Sequence, residues 1–386
     1  THMPALTNVF VNKCPNTGND NNKNDFTRSF IEAFGSESFD ICKYFIDNKI
    51  CINYSELILH AYKFKLINCK ILSLLIDNSS YFHKKQLIGN FIIPSIQKKN
   101  KDTIEYLLSN DAPMDDTLFE AVNTHNIEIV NIILKFNSKP FFINKISIHG
   151  TALHLAVMNK DIDIIKLLIS LPGIDVNKID SSNRTPLQIA FDNYSYDIVR
   201  ILLSNEKVET NILSNDYNYI LISVIKQRNI EIATLLIKHP KTNINIQNNQ
   251  NPYQTALIEA VILNLDDIID LLINDQKFDP EESRLNYAFF ISSNETSKHL
   301  INAKSLDVNY IHYEKIPKQI ENQSLNPNYL SSNQNIIQKN EDFIVEFQTT
   351  LSRAVKLKYN EKVNLIISHH SFDKNISYLS TGFDCS

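Results

Sequence analysis

Histidines, cysteines and glycine-rich turns at workable spacing are the first places in a sequence to look for chemistry. The five cysteines, Cys14, Cys42, Cys51, Cys69 and Cys385, form no Cys-x-x-Cys pair and no dense framework, which is the usage expected where thiols stay reduced. His369 and His370 are adjacent, and neighbouring side chains on a helix point in different directions, so they do not read as a ligand pair. Six glycines in the whole chain leave no Gly-x-Gly-x-x-Gly, no phosphate-binding loop and no Gly-x-Ser-x-Gly elbow. The sequence therefore offers no catalytic centre, no cofactor site and no metal site.

Charge narrows the partners. The formal net charge is −5 and the sequence pI about 6.1, so no chain-wide field attracts phosphate backbones and nucleic acid is not an expected partner. The local cluster Lys84, Lys85, Lys98, Lys99 and Lys101 reads first as a solvated face, with a weak contact to an acidic partner surface or a phosphoinositide as its sharper use. No apolar run approaches the ~18 residues that a membrane span needs.

The elements that would position any binding surface emerge from self-comparison. Thr151-Ala152-Leu153-His154-Leu155-Ala156 recurs as Thr185 to Ala190, Tyr219 to Val224 and Thr255 to Ala260, with starts 34, 34 and 36 residues apart. Eleven residues beyond each last small residue stands an apolar pair: Leu167-Leu168, Ile201-Leu202, Leu235-Leu236 and Leu271-Leu272. Further pairs such as Ile164-Ile165 and Ile268-Ile269 lie three residues earlier, which completes a helical stripe. Each unit is thus two short helices, the first opened in three of the four by a Thr whose hydroxyl can accept orphan N–H groups and, at Pro186, by a proline at the first helical position. A third signal follows the second helix, at Asp175-Val176-Asn177, Thr210-Asn211 and Ile244-Asn245. It begins an extended, Asn-rich segment with turn residues such as Asp180 to Asn183, read as a projecting hairpin or loop.

Helix, turn, helix and projecting finger at this period resembles the ankyrin-repeat family, closely over residues 116–280. The resemblance implies an all-α solenoid of helix-turn-helix units with β-hairpin or loop fingers, about ten units starting near 28, 58, 91, 116, 151, 185, 219, 255, 284 and 349, the outer ones degenerate. It also gives His154 a structural role, bonding within and between repeats. The glycine that ordinarily ends the first helix is replaced by Lys160, Tyr194, Arg228 and Asn264, so a neighbouring Asn159, Asp161, Asn193 or Asn229 is expected to supply the left-handed residue.

Five segments follow: a flexible leader at 1–25, divergent units at 26–115, regular repeats at 116–309, a long hairpin insertion at 310–348 and a C-terminal capping unit at 349–386. The insertion carries Pro317, Pro327 and a run of Asn, Gln and Ser, a composition associated with absence of a packed core.

The function implied is a non-catalytic adaptor or scaffold that binds a protein through finger tips and the first-helix face. The alternative is a targeting or regulatory part of an enzyme or membrane protein lying outside this chain. By the family's variable sites, the partner-binding residues are Met158, Asn159, Ser181, Ser182, Arg184, Asp192, Asn193, Lys226 and Gln227. To these are added Tyr217 and Tyr253, which occupy equivalent positions in consecutive units and offer large contact area at low entropy cost. A cytoplasmic location is expected.

Overall fold

A computed structural model describes residues 20–48, 57, 58, 60, 68–248, 251, 254–303, 305–308, 311–317, 338–340, 343–349, 353, 354 and 357–369. Tyr253, His370, the leader up to residue 19 and the interior of the insertion, 318–337, lie outside the described residues. The chain divides into two compact units, Thr1–Asn183 and Arg184–Ser386.

The first unit contains α1 (Asp20–Gly35), α2 (Phe39–Asp47), α3 (Cys69–Asp77), α4 (Tyr81–Gln97), α5 (Lys101–Ser109), α6 (Thr117–Asn123), α7 (Ile127–Phe136), the single turn α8 (Pro140–Ile143), α9 (Ala152–Asn159) and α10 (Ile162–Ile169). First helices stack on first helices, α4 on α6 and α6 on α9, while second helices stack as α3, α5, α7 and α10. The second unit repeats the plan with α11 (Pro186–Asp192) and α12 (Tyr196–Leu203), α13 (Ile220–Lys226) and α14 (Ile230–Lys238), α15 (Ala256–Ile262) and α16 (Asp266–Ile273), α17 (Leu285–Ile291) and α18 (Thr296–Leu300). A last second helix, α19 (Asn360–Ser368), packs on α18.

Each helix pair buries the stripe seen in the sequence. Leu153, Ile165 and Leu168 in one repeat, and Leu257, Ile269 and Leu272 in another, are out of solvent, and the small Ala156, Ala190 and Ala260 are fully buried. A repeat this short buries its apolar face only by lying against its neighbours. The regular first helices begin where the threonines predicted. The Oγ1 atoms of Thr151, Thr185 and Thr255 accept the backbone N–H of His154, Gln188 and Ile258, and His154 Nδ1 in turn accepts the Thr151 N–H at 3.1 Å. His154 is buried in that capping box, so its imidazole is structural.

One expectation is corrected. Lys160, Tyr194, Arg228 and Asn264 themselves take the left-handed conformation, with φ of 60°, 53°, 57° and 52°. The expected donors of that conformation have other work: Asn229 caps α14 by accepting the Ile232 N–H, Asp161 is the N-cap residue of α10, Asn159 is the last residue of α9 and Asn193 has φ of −89°. A second correction concerns the third unit, whose first helix begins at Tyr81 and not near residue 91.

The fingers are short. Isolated antiparallel bridges Ser147↔Gly150, Leu213↔Tyr219 and Gln247↔Thr255 mark them. Within the 310–348 region the backbone forms a three-stranded antiparallel sheet of β1 (Ile311–Pro317), β2 (Gln338–Asn340) and β3 (Phe343–Thr349), with β3 central. Its register pairs Ile311 with Thr349 and Pro317 with Phe343.

The Asn-rich third signal acquires a physical reason. Asn144 Nδ2 donates to Gly173 O and its Oδ1 accepts the Asp175 N–H, both at 2.8 Å. Asn211 does the same to Lys241 O and the Asn243 N–H, at 2.7 and 2.8 Å, and Asn245 to Lys277 O and the Asp279 N–H, at 2.5 and 2.9 Å. One amide thus satisfies both a donor and an acceptor of the next repeat's loop, and at the buried Asn245 those groups would otherwise stand unpaired away from water.

Candidate functional site

Four of the candidate residues belong to the first unit. Met158 is exposed on the last turn of α9, and the neighbouring Asn159 is half-buried with its Nδ2 lacking a hydrogen-bond partner. Ser181 and Ser182 lie at a finger tip; Ser181 Oγ reaches Ile148 O of the preceding finger at 3.4 Å, and the Ser182 N–H donates to Asp180 Oδ1 at 2.8 Å. Gly150 sets how closely these fingers pack, because it has φ of +87° and a Cβ there would come within 2.8 Å of His154 Cγ and 3.0 Å of Asp180 Cβ.

The second unit brings more of the candidates together. Asp192, at the end of α11, accepts the N–H of Asn215 in the following finger at 3.2 Å. Burial pushes the Asp192 carboxyl above its ordinary value, the Asn215 N–H and the Arg184 charge pull it back, and Asp216 adds to the rise. Asn193 is exposed beside it.

Asp216 is the centre of that finger. Its carboxylate accepts from Ser214 Oγ, from the Asn218 side chain at 3.0 Å, and from Ser223 Oγ of α13 at 2.8 and 3.0 Å. Burial opposes the charge, yet the hydrogen bonds from Ser214, Asn218 and Ser223 outweigh it and hold the carboxyl below its ordinary value. The knot ties the tip to α13 and fixes Tyr217 at φ of 59° with 69% of its surface exposed.

From the same knot a line of amides runs to Lys226. Asn218 Oδ1 accepts from Asn248 Nδ2 at 2.9 Å, which also donates to Gln254 Oε1 at 2.8 Å. Gln254 Nε2 donates to Glu259 Oε1 at 3.1 Å, and Lys226 Nζ stands 3.8 Å from the same oxygen. Gln227, at the end of the same helix, accepts from the Tyr196 hydroxyl. Tyr253 lies outside the described residues, so the row it would form with Tyr217 is not on view.

Sequence reading missed Ser214, Asp216, Asn218 and Ser223. The polar run Ser214-Asn215-Asp216-Tyr217-Asn218 carries an Asx-turn signal, but the Ser223 contact depends on how the finger folds back on its helix. The lysine cluster is also redistributed. Lys84 and Lys85 lie in the first turns of α4 and Lys98 and Lys99 at its far end, roughly 20 Å apart at 1.5 Å per residue, while Lys101 pairs with Glu128. The Cys42 thiol is buried and pushed up to about 12 by burial, which makes it unreactive.

What these helix pairs, fingers and caps define is a repeat protein. A profile of ankyrin repeats, in three copies, matches residues 118–216 and 193–284, and this part of the chain is built of ankyrin repeats. Among solved structures it is similar to the ankyrin repeat domain of Bcl-3, titled a unique member of the IkappaB protein family, at 19% identity, covering 49% of this chain and 87% of that one with a TM-score of 0.38. It is also similar to the ankyrin repeat protein EF0377, at 20% identity, covering 66% of this chain and 98% of that one with a TM-score of 0.34. No curated protein matches.

Proposed function

We propose that this chain is a non-catalytic adaptor or scaffold that binds a protein partner through its finger tips and first-helix faces. Ankyrin repeats generally serve protein–protein interaction, and this reading narrows that role to particular residues. The observation that carries it is Tyr217, a largely exposed ring held on a finger whose polar groups are paired through Asp216. A finger whose backbone is already ordered loses less freedom when its exposed ring is bound, and preordering of this kind adds affinity without added area. Arg184, Asp192, Asn193, Lys226 and Gln227 extend the contact in the same unit, Tyr253 adds a second ring, and Met158, Asn159, Ser181 and Ser182 serve in the first unit. Contact with acidic groups through Lys84, Lys85, Lys98, Lys99 and Lys101 is an accessory part of the proposal. A cytoplasmic setting is proposed as well, supported by the free thiols Cys42 and Cys69. Among the described residues no helix is long and apolar enough to cross a membrane.

The test compares proteins captured from a cell lysate by the parent and by Tyr217→Ala with Lys226→Ala. The variant is expected to lose a protein that the parent retains, with a thermal midpoint within a few degrees of the parent, because exposed substitutions change stability by under ~0.5 kcal/mol. Identical captured sets for the two would overturn the assignment of these residues.

A further inference from the structure

The third repeat departs from the plan in one respect. Its first helix, α4, has 17 residues, whereas α6 has 7 and α9 has 8. All three end at the same left-handed turn, at Lys99, His125 and Lys160. Measured back from that turn, α4 therefore runs ten residues further than α9, about 15 Å at 1.5 Å per residue. Only Asn78, Ser79 and Ser80 join α3 to α4, so the extended helix stands in place of a finger.

Its tip is apolar and cationic. Tyr81 and Phe82 are 73% and 65% exposed, and Lys85 Nζ lies 4.9 Å from the centroid of the Tyr81 ring. The neighbouring stretch after α7 repeats the chemistry. Phe141 is 89% exposed beside the exposed Lys139, and Ile148 is 82% exposed a few residues on. The loop at Pro113 to Asp116 borders both the body of α4, about two turns in from this tip, and the stretch after α7, and so marks the edge of the unit to which both belong. A Cβ on Gly89 of α4 would lie 3.8 Å from Pro113 of that loop, and Lys145 stands 3.1 Å from its Asp116 and 3.5 Å from its Asp115. The two carboxylates between the stretches thus already share a lysine.

We propose that this edge is a peripheral membrane contact, in which Tyr81, Phe82 and Phe141 enter the interfacial layer of an anionic bilayer while Lys84, Lys85 and Lys139 meet its headgroups. Peptide recognition uses a groove or a free strand edge that buries the incoming side chains. These rings instead stand clear of the surface, contacted by little of the protein, and a bilayer interface asks only for protruding aromatics with lysines beside them. The proposal gives Lys84 and Lys85 a more definite partner than the accessory acidic contact above, and it does not depend on the finger-tip residues around Tyr217.

The chain has no tryptophan, so Phe141→Trp supplies a single reporter. With vesicles of phosphatidylcholine containing phosphatidylserine, its emission is expected to shift to the blue and the unmodified protein to sediment with the vesicles. Both effects should be absent with phosphatidylcholine alone and weaken as salt is raised. Lys84→Gln with Lys85→Gln should lower the partition coefficient on the order of 25-fold, about fivefold per lysine. Phe82→Ser with Phe141→Ser should abolish sedimentation while leaving the far-ultraviolet circular dichroism unchanged. The proposal fails if the unmodified protein does not sediment with anionic vesicles or binds neutral ones equally. It fails too if the emission of the Phe141→Trp reporter responds to soluble polyglutamate and not to vesicles, which would assign the edge to an acidic protein.

Discussion

Lys362 Nζ stands 2.8 Å from the carbonyl oxygen of Ser292, joining residues 70 apart in sequence across the insertion. The same ammonium donates to Phe289 O, to Phe290 O at 3.3 Å and to Ser292 Oγ at 2.9 Å. It lies 4.9 Å from the Phe289 ring centroid, and Lys362 is 1% exposed. The C-terminal end of α17 leaves carbonyls with no helical partner, and here a lysine from the last repeat takes them.

Burial first, and the nearby Arg353 charge second, pull the Lys362 amine down to about 7 from 10.5. Between those two values the undocked chain binds more protons than the docked one, so docking of the last repeat strengthens as pH rises through that window and is flat below it. Glu361 and Glu295 face Lys298 at the exposed rim. Urea unfolding between neutral pH and pH 10 is expected to show this rise, and Lys362→Met to remove it. At neutral pH the same variant should lose about 2 kcal/mol, because the carbonyls of Phe289 and Ser292 lose their donor in a buried site. Hydrogen exchange would then quicken in 360–368 ahead of α15 and α16. An unchanged profile in the variant would show that Lys362 does not dock the repeat.

The left-handed residues give a prediction of opposite sign. A non-glycine residue in that conformation costs about 1–2 kcal/mol, of which roughly half is offset by the greater freedom glycine has when unfolded. Arg228 is exposed with φ of 57°, so Arg228→Gly is expected to stabilise the protein by about 0.5–1 kcal/mol in urea. Tyr194→Gly should gain less, because its ring packs edge-on to Tyr196 at 6.4 Å and that contact is lost. Destabilisation by Arg228→Gly would mean the arginine makes contacts that outweigh the strain.

These positions also show where a sequence stops being legible. Thr151, Thr185 and Thr255 announced their helices because a cap is a local interaction between residues three apart. The left-handed residue could not be assigned the same way. Asn and Asp tolerate that conformation best, but in Asn229 the second helix had a stronger use for the side chain, as its N-cap. The start of α4 was hidden for a related reason. A proline is most at home in a first turn, yet Pro94 lies inside α4 with Phe91 and Ile92 buried just before it. Of the candidate surface, Tyr217 was visible from its register, while the Asp216–Ser223 contact that holds it needed the finger folded back on its helix.

The recurrent asparagine makes the strongest claim about how repeats are joined. Asn245 is 6% exposed and spends its amide three ways, on Lys277 O, on the Asp279 N–H and on Ser283 Oγ, the last at 2.6 Å. Asn245→Ala deletes all three and strands a carbonyl and an N–H of the next repeat, so it should cost about 2–3 kcal/mol. Asn245→Asp keeps the acceptor, loses the donor to Lys277 O and sets a carboxylate against that carbonyl, so it too should destabilise. Asn211 makes two such bonds from a more exposed site, and Asn211→Ala should cost about half as much. A double-mutant cycle with Ser283→Ala isolates one contact, with an expected coupling of about 1 kcal/mol. Urea midpoints at constant slope give each value. If Asn245→Ala costs under ~0.5 kcal/mol, water replaces the amide at no loss and the asparagines are not what joins one repeat to the next.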